Sequence, residues 1–237
     1  MIDTYLARLG YDGPREPSAE LLRELHVRHL LNIPFENLDI HWKRPIVVDV
    51  DRFLHKILAE RRGGFCYELN GAFAALLRAL GFDVKLLSAR VTTANGELGP
   101  DFDHMTLLVD GEWIADVGFG DSSLVPLRID GTPEGNYRVL DAQYQSLHGD
   151  EWRTEYVFTM QPRELREFGP MCHYQQTSPE SHFTKKKVIT LARQGGRITL
   201  TGDRLIETRG GVKFETPVED WEKVLRETFG VTVPLSS

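Results

Sequence analysis

The hydrophobic period of this chain changes once, near Gly81, and that change divides what it can fold into. Before it, apolar residues recur every third or fourth position, as on one face of an α-helix. Leu21, Leu22, Leu25 and Leu30 form one such stripe behind Ser18, whose hydroxyl suits an N-cap. Pro34 ends it, because a proline pushes the residue before it out of helical conformation. Val50, Phe53, Leu54, Ile57 and Leu58 form a second stripe after Asp49. Leu69, Phe73, Leu76, Leu77 and Leu80 form a third, which begins near Cys66 and stops at Gly81. From Val84 onward, short runs rich in β-branched and aromatic residues predict strands at 84–91, 105–109, 113–117, 137–140, 156–160, 188–192 and 198–201. Thr216-Pro217-Val218-Glu219 has capping-box spacing, and Val218, Trp221, Leu225 and Phe229 predict a closing helix stopped by Gly230. The pattern predicts an α+β fold with an N-terminal helical bundle, a central β-barrel and a small C-terminal α/β part.

Composition narrows the function. The 237 residues are 41% hydrophobic and 27% charged, which is ordinary for a globular chain and excludes fibrous or disordered classes. A net charge of -7 argues against nucleic acid as the main partner. No apolar run approaches the ~20 residues needed to cross a bilayer. The start, Met-Ile-Asp-Thr-Tyr, lacks the basic and apolar regions of a secretory signal. Cys66 and Cys172 cannot make a disulfide framework, so a reduced, cytoplasmic protein is expected. Neither cysteine has the paired spacing of a zinc site, and no metal is expected. Gly118-Phe119-Gly120 is not a nucleotide-binding loop, and Lys185-Lys186-Lys187 is expected to be a solvated strand edge.

The stretch Arg61-Arg62-Gly63-Gly64-Phe65-Cys66-Tyr67-Glu68-Leu69-Asn70 stands apart. Two glycines allow a sharp turn, and the cysteine falls where a helix starts and its dipole favours an anion. With two arginines nearby, these surroundings are expected to lower the thiol pKa. Two roles stay open at this level: a nucleophile, or a small buried hydrophobe. Cys172, without such a setting, is read as the latter. A nucleophile needs a base. His104 enters one strand and Asp116 lies on the next, across an Asp110-Gly111 turn, though any hairpin pairs something. His26, His29, His41 and His55 are expected to be solvated.

Four of these segments together resemble the arylamine N-acetyltransferases. Arg62 to Asn70 resembles the family's nucleophile signature, and Pro34-Phe35-Glu36-Asn37 is similar to its second one. Asp116 to Gly120 resembles the segment bearing the triad aspartate, and Thr177-Ser178-Pro179 a later marker. The resemblance implies a catalytic triad of Cys66, His104 and Asp116, acetyl-CoA as donor, and an arylamine, arylhydroxylamine or hydrazine as small-molecule acceptor. It implies a supporting Glu36–Arg62 ion pair, an acceptor pocket at Phe35, Val91 and Phe119, and coenzyme contacts at Gly120 and Tyr174. It further implies a bundle over 1–81, a barrel over 82–185 and a lid over 186–237. The tail after Val218 is expected to be short for the family, and the loop 94–103 matches no family pattern. The rival readings are a transglutaminase-like cysteine hydrolase, an amide synthase on the same scaffold, and a non-catalytic binding protein. Neither membrane nor nucleic-acid partners are expected, and oligomeric state has no sequence signal.

The triad sets a condition on the hairpin. A two-residue Asp110-Gly111 loop would put His104 and Asp116 on opposite faces, because a one-residue slip inverts a strand. A three-residue loop, Val109-Asp110-Gly111, sets them directly opposite, with Nδ1 of His104 expected to meet the carboxylate.

Overall fold

The computed structural model describes residues 1–233, so the end of the expected lid, 234–237, lies outside the described residues. Helix α1 (Ile2–Leu9) precedes α2 (Ala19–Asn32), whose first turn is capped by the Ser18 hydroxyl accepting the Leu21 N–H at 3.1 Å. A two-residue strand β1 (Phe35–Glu36) and a short α3 (Leu38–His41) follow. Asp49 caps α4 (Val50–Leu54), which widens into a π-turn at His55–Ala59, and α5 (Cys66–Ala79) comes next. Gly81 leaves that helix with φ +100°, a conformation glycine adopts without strain. Helix α5 is the axis of the main core: Leu69, Phe73, Leu76 and Leu77 are fully buried among α1, α2, α4 and the strands that follow.

Seven antiparallel strands come next: β2 (Val84–Val91), β3 (His104–Val109), β4 (Trp113–Ala115), β5 (Leu127–Arg128), β6 (Tyr137–Leu140), β7 (Gln143–His148) and β8 (Glu151–Arg163). They run in the order β5-β4-β3-β2-β8-β7-β6, and the edge strands β5 and β6 return into contact, so the sheet is nearly closed into a barrel. Strand β3 is buried on both faces. Met105, Leu107 and Val109 join the core around α5, while Leu108 joins the barrel interior. Alternation therefore sends His104 to the barrel side.

After a 3₁₀ turn at Leu165–Phe168 come α6 (Gly169–Thr177) and α7 (His182–Lys185), then β9 (Val188–Arg193), β10 (Gly196–Thr201), β11 (Arg204–Arg209), β12 (Val212–Pro217) and α8 (Trp221–Phe229). The second sheet is ordered β1-β9-β10-β11-β12, so an N-terminal strand pairs with the C-terminal sheet, Phe35 opposite Thr190 and Glu36 opposite Ile189. Leu225 and Phe229 of α8 pack on Ile189, Leu191, Ile198 and Leu200 of that sheet.

The last helix starts later than its capping-box spacing predicts. Thr216 and Pro217 complete β12, where an edge position tolerates the missing proline N–H. Asp220 caps α8 instead, its carboxylate accepting the Lys223 N–H at 2.8 Å. Lys185 and Lys186 are solvated as expected, but the run closes α7 and precedes β9 rather than forming a strand edge, and Lys187 lies 4.1 Å from the Trp221 ring of α8.

Candidate active site

Glycine decides where Cys66 sits. A Cβ on Gly63 would lie 1.8 Å from the Pro34 carbonyl oxygen, so only glycine lets the two segments touch. The Glu36 N–H donates to the Gly64 carbonyl at 2.8 Å, joining the segments at 34–37 and 62–70. On the other side, a Cβ on Gly118 would come 2.7 Å from the Cys66 Cα and 2.8 Å from Asn70 Nδ2. Cys66 thus opens α5 between two backbone approaches, 3% exposed.

His104 Nε2 is 2.6 Å from Asp116 Oδ2, and both residues are 2% exposed. The Asp116 carboxylate also accepts from Asn70 Nδ2 (2.9 Å), the Gly118 N–H (3.0 Å) and the Tyr156 hydroxyl (2.8 Å). Burial works to raise this carboxyl, but His104 and the other donors hold it below the usual carboxylate range. Asn70 is a brace: its amide also donates to the Met105 carbonyl and its oxygen accepts the Val117 N–H, tying α5 to both sides of the hairpin.

The hairpin differs from the expected one. The strands pair Leu107 with Ala115, Leu108 with Ile114 and Val109 with Trp113. Asp110 (φ 51°) and Gly111 (φ 71°) make a left-handed two-residue turn closed by the Glu112 N–H on the Val109 carbonyl, and Glu112 is the extra residue. That insertion keeps His104 and Asp116 on one face but sets them diagonally rather than opposite. A diagonal separation is longer, so the carboxylate meets the far ring nitrogen, Nε2, instead of Nδ1.

The thiol is not activated by neighbouring arginines. Burial pushes Cys66 well above its ordinary range, with the carboxylates of Asp103 and Asp116 adding to the rise. Arg61 is exposed. Arg62 points into a buried ion cluster, where Nη2 lies 2.6 Å from Glu36 and Nη1 contacts Asp39. Lys56 completes the cluster, 2.9 Å from Asp39 and 2.8 Å from Glu68. Three buried carboxylates share these two buried cations, Arg44 and Glu60 extend the cluster towards solvent, and burial pushes Glu68 up to about 7. The predicted Glu36–Arg62 contact is therefore one edge of a larger network.

A cavity of about 300 Å³ brings Cys66 and His104 together with Phe35, Val91 and Phe119. Asp103, His182, Phe183 and Val188 line it as well, and none of these four is picked out by the sequence reading. Gly120 abuts Phe35 outside that lining, and Tyr174 is 41% exposed on α6. Cys172 is fully buried, and burial pushes its thiol up to about 12. Among the described residues, no group of three His, Cys, Asp or Glu side chains is placed to hold a metal ion, and no helix is long and apolar enough to cross a membrane.

His26 and His29 are buried, not solvated. His26 Nδ1–H donates to the Leu124 carbonyl (2.9 Å) and Nε2 accepts the Asp116 N–H (3.1 Å), so this ring is neutral and fixes the Asp116 backbone. Desolvation lowers its pKa to about 4. Its place on the inner stripe of α2, one residue after Leu25, was the available signal. Tyr156 and Asp103 had none.

A family model described as N-acetyltransferase matches residues 18–237. The arylamine N-acetyltransferase of Escherichia coli (strain K12) is 34% identical over 98% of this chain and 89% of its own length. The structure of the arylamine N-acetyltransferase from M. tuberculosis superposes with a TM-score of 0.90 at 30% identity, covering 98% of this chain and 93% of that one. That of the Mycobacterium marinum enzyme in complex with CoA superposes with a TM-score of 0.88 at 28% identity, again covering 98% and 93%.

Proposed function

The chain belongs to the arylamine N-acetyltransferase family, and on that premise we propose that Cys66, His104 and Asp116 carry acetyl from acetyl-CoA to an aromatic amine or hydrazine. The observation that carries this reading is one cavity lined by both Cys66 and His104, with Asp116 held on Nε2 of the imidazole. Nδ1 is then the nitrogen left for the thiol.

In the first half-reaction His104 takes the Cys66 proton as the sulfur attacks the acetyl carbonyl, and CoA leaves as its thiol after taking a proton back. In the second, the acceptor amine attacks the Cys66 thioester, His104 accepts the amine proton, and the amide leaves as the thiol is restored. Burial, which raises the thiol, makes removal of its proton by His104 a necessary part of the attack. Asp116 orients the ring and stabilises its cation. The backbone N–H groups that open α5 are the candidate donors to the tetrahedral oxyanion. Phe35, Val91 and Phe119 would hold the aromatic acceptor and keep water from the thioester. Glu36 and Arg62 support the turn beneath Cys66, while Gly120 and Tyr174 are the proposed coenzyme neighbours.

In this reading residues 1–81 present the nucleophile, 82–185 present His104 and Asp116, and 186–237 act as the lid. The free thiols of Cys66 and Cys172 fit a reducing, cytoplasmic setting, and xenobiotic amines fit as acceptors. The test is acetyl-CoA with an arylamine: stoichiometric amide and free CoA support the reading. Thioester hydrolysis unaffected by the amine would replace it with a hydrolase.

A further inference from the structure

Beyond Cys66 and His104, the titratable side chains lining the cavity are Asp103 and His182. The rest of the wall is mainly apolar, from Phe35, Val91, Phe119 and Phe183. Asp103 is held in place by a short relay. Its Oδ1 accepts from Gln175 Nε2 at 2.5 Å, and the Gln175 amide oxygen accepts from the Ser181 hydroxyl at 2.7 Å. Gln175 and Ser181 are each 3% exposed, and Ser181 caps α7, whose first residue is His182. A buried pair, Gln175 and Ser181, therefore fixes the half-buried carboxylate against the cavity, while the exposed His182 follows in the chain.

Among the described residues that carboxylate has no lysine or arginine counter-ion, and the nearby charges that favour its ionisation are the titratable rings of His104 and His182. Among the described residues no Lys, Arg or His nitrogen lies within 4.0 Å of it, and its side-chain partner is a neutral amide. No lysine or arginine lines the cavity. Burial raises the Asp103 carboxyl, outweighing the opposing pull of His104, His182 and the hydrogen bonds it accepts.

We propose that Asp103 selects the acceptor by charge: the cavity favours aromatic amines or hydrazines bearing a second group that is cationic or donates hydrogen bonds, and disfavours those bearing a carboxylate. This rests on the acetyl-transfer reading above. An acceptor whose amine reaches Cys66 has its ring in the same cavity as Asp103. A cationic substituent there supplies a counter-charge, whereas a carboxylate places like charges together in surroundings that screen them poorly. The neutral amide of Gln175 fixes one carboxylate oxygen without cancelling its charge, and this distinguishes Asp103 from the carboxylates neutralised around Lys56 and Arg62.

The experiment compares kcat/KM for three acceptors of similar size, para-aminobenzoate, para-aminobenzamide and para-(aminomethyl)aniline, at saturating acetyl-CoA. The expected order is cation, then amide, then carboxylate, with the ends at least about tenfold apart. Asp103→Asn, which retains an oxygen for Gln175, collapses that spread, and Asp103→Ser does the same. A flat or reversed order in the wild-type protein overturns the proposal, as does an order that both variants preserve. Acetyl-enzyme formed from acetyl-CoA alone is followed in parallel by intact mass. A flat order with the thioester present overturns only the charge selection, whereas absence of the thioester overturns the acetyl-transfer reading with it.

Discussion

His104 Nε2 lies 2.6 Å from Asp116 Oδ2 although the two residues are not partners across their hairpin. The extra residue Glu112 preserves their common face and lengthens the reach between them, and the far ring nitrogen takes the contact. Asp116 is further locked by Asn70, Gly118, Tyr156 and the His26 ring, so its position depends on the helical core and the barrel together.

With acetyl-CoA and no acceptor, one acetyl group is expected on Cys66. Cys172 is fully buried on α6 and lies outside the cavity lining. Peptide mapping of the labelled protein checks this, and label on Cys172, or full turnover by Cys66→Ala, contradicts it.

Asp116→Asn keeps the shape of the side chain and removes the charge opposite the imidazole. A fall of roughly 10³–10⁴-fold in kcat/KM is expected, by the logic of the corresponding change in other triads. Loss of less than tenfold would show that Asp116 does not act on His104.

Gly118→Ala puts a methyl group 2.7 Å from the Cys66 Cα, where backbone rather than a flexible side-chain tip must move. Overpacking of this kind costs about 1–3 kcal/mol. Melting temperature and activity should fall together, and a variant with wild-type kinetics would refute the close approach.

Arg62→Ala removes the nearest cation of Glu36 and leaves Asp39 to Arg44 and to Lys56, which has Glu36 and Glu68 to satisfy as well. Removing one member of such a buried cluster costs ~3–5 kcal/mol. Chemical denaturation should show the loss. A variant of unchanged stability but no activity would point to a chemical role for Arg62 instead.

His26 gives the fold a pH dependence of definite sign. Its folded pKa is about 4, against 6.5 for an unperturbed ring, so between those values the unfolded chain binds a proton that the folded chain refuses. Stability from this group is complete above pH 6.5 and is lost as pH falls towards 4, at up to ~1.4 kcal/mol per pH unit. His26→Gln removes the titration, so the wild-type advantage over that variant should shrink across the window. A difference independent of pH would contradict the assignment.

Much of the architecture was legible because it is local. Ser18 caps the helix expected of it, the helix expected after Asp49 is there with Asp49 as its cap, Gly81 and Gly230 stop theirs, and the strands with strong β-branched and aromatic content lie where alternation puts them. Strands β7, β11 and β12 carry little signal because their sequences, such as Arg204–Arg209, are largely polar, with neither face deeply buried in the last two, and β1 and β5 are only two residues long.

The candidate residues Cys66, His104 and Asp116 were identifiable from their segments, but their chemistry was not. Periodicity states which face a residue takes, not which residue from elsewhere meets it. Nothing near Glu112 announces that it will be the inserted residue, yet it decides which imidazole nitrogen meets Asp116. Arg61 and Arg62 are adjacent to the cysteine along the chain, but α5 and the cluster around Lys56 turn Arg62 away, and burial raises the thiol instead of lowering it. Likewise Gln175 reaches Asp103 across 72 positions. Hydrogen-bond geometry and desolvation depend on groups brought together from distant parts of the chain. The sequence alone determined the elements, their caps and the close-approach glycines, and the tertiary packing decided the charge and orientation of the side chains in the site.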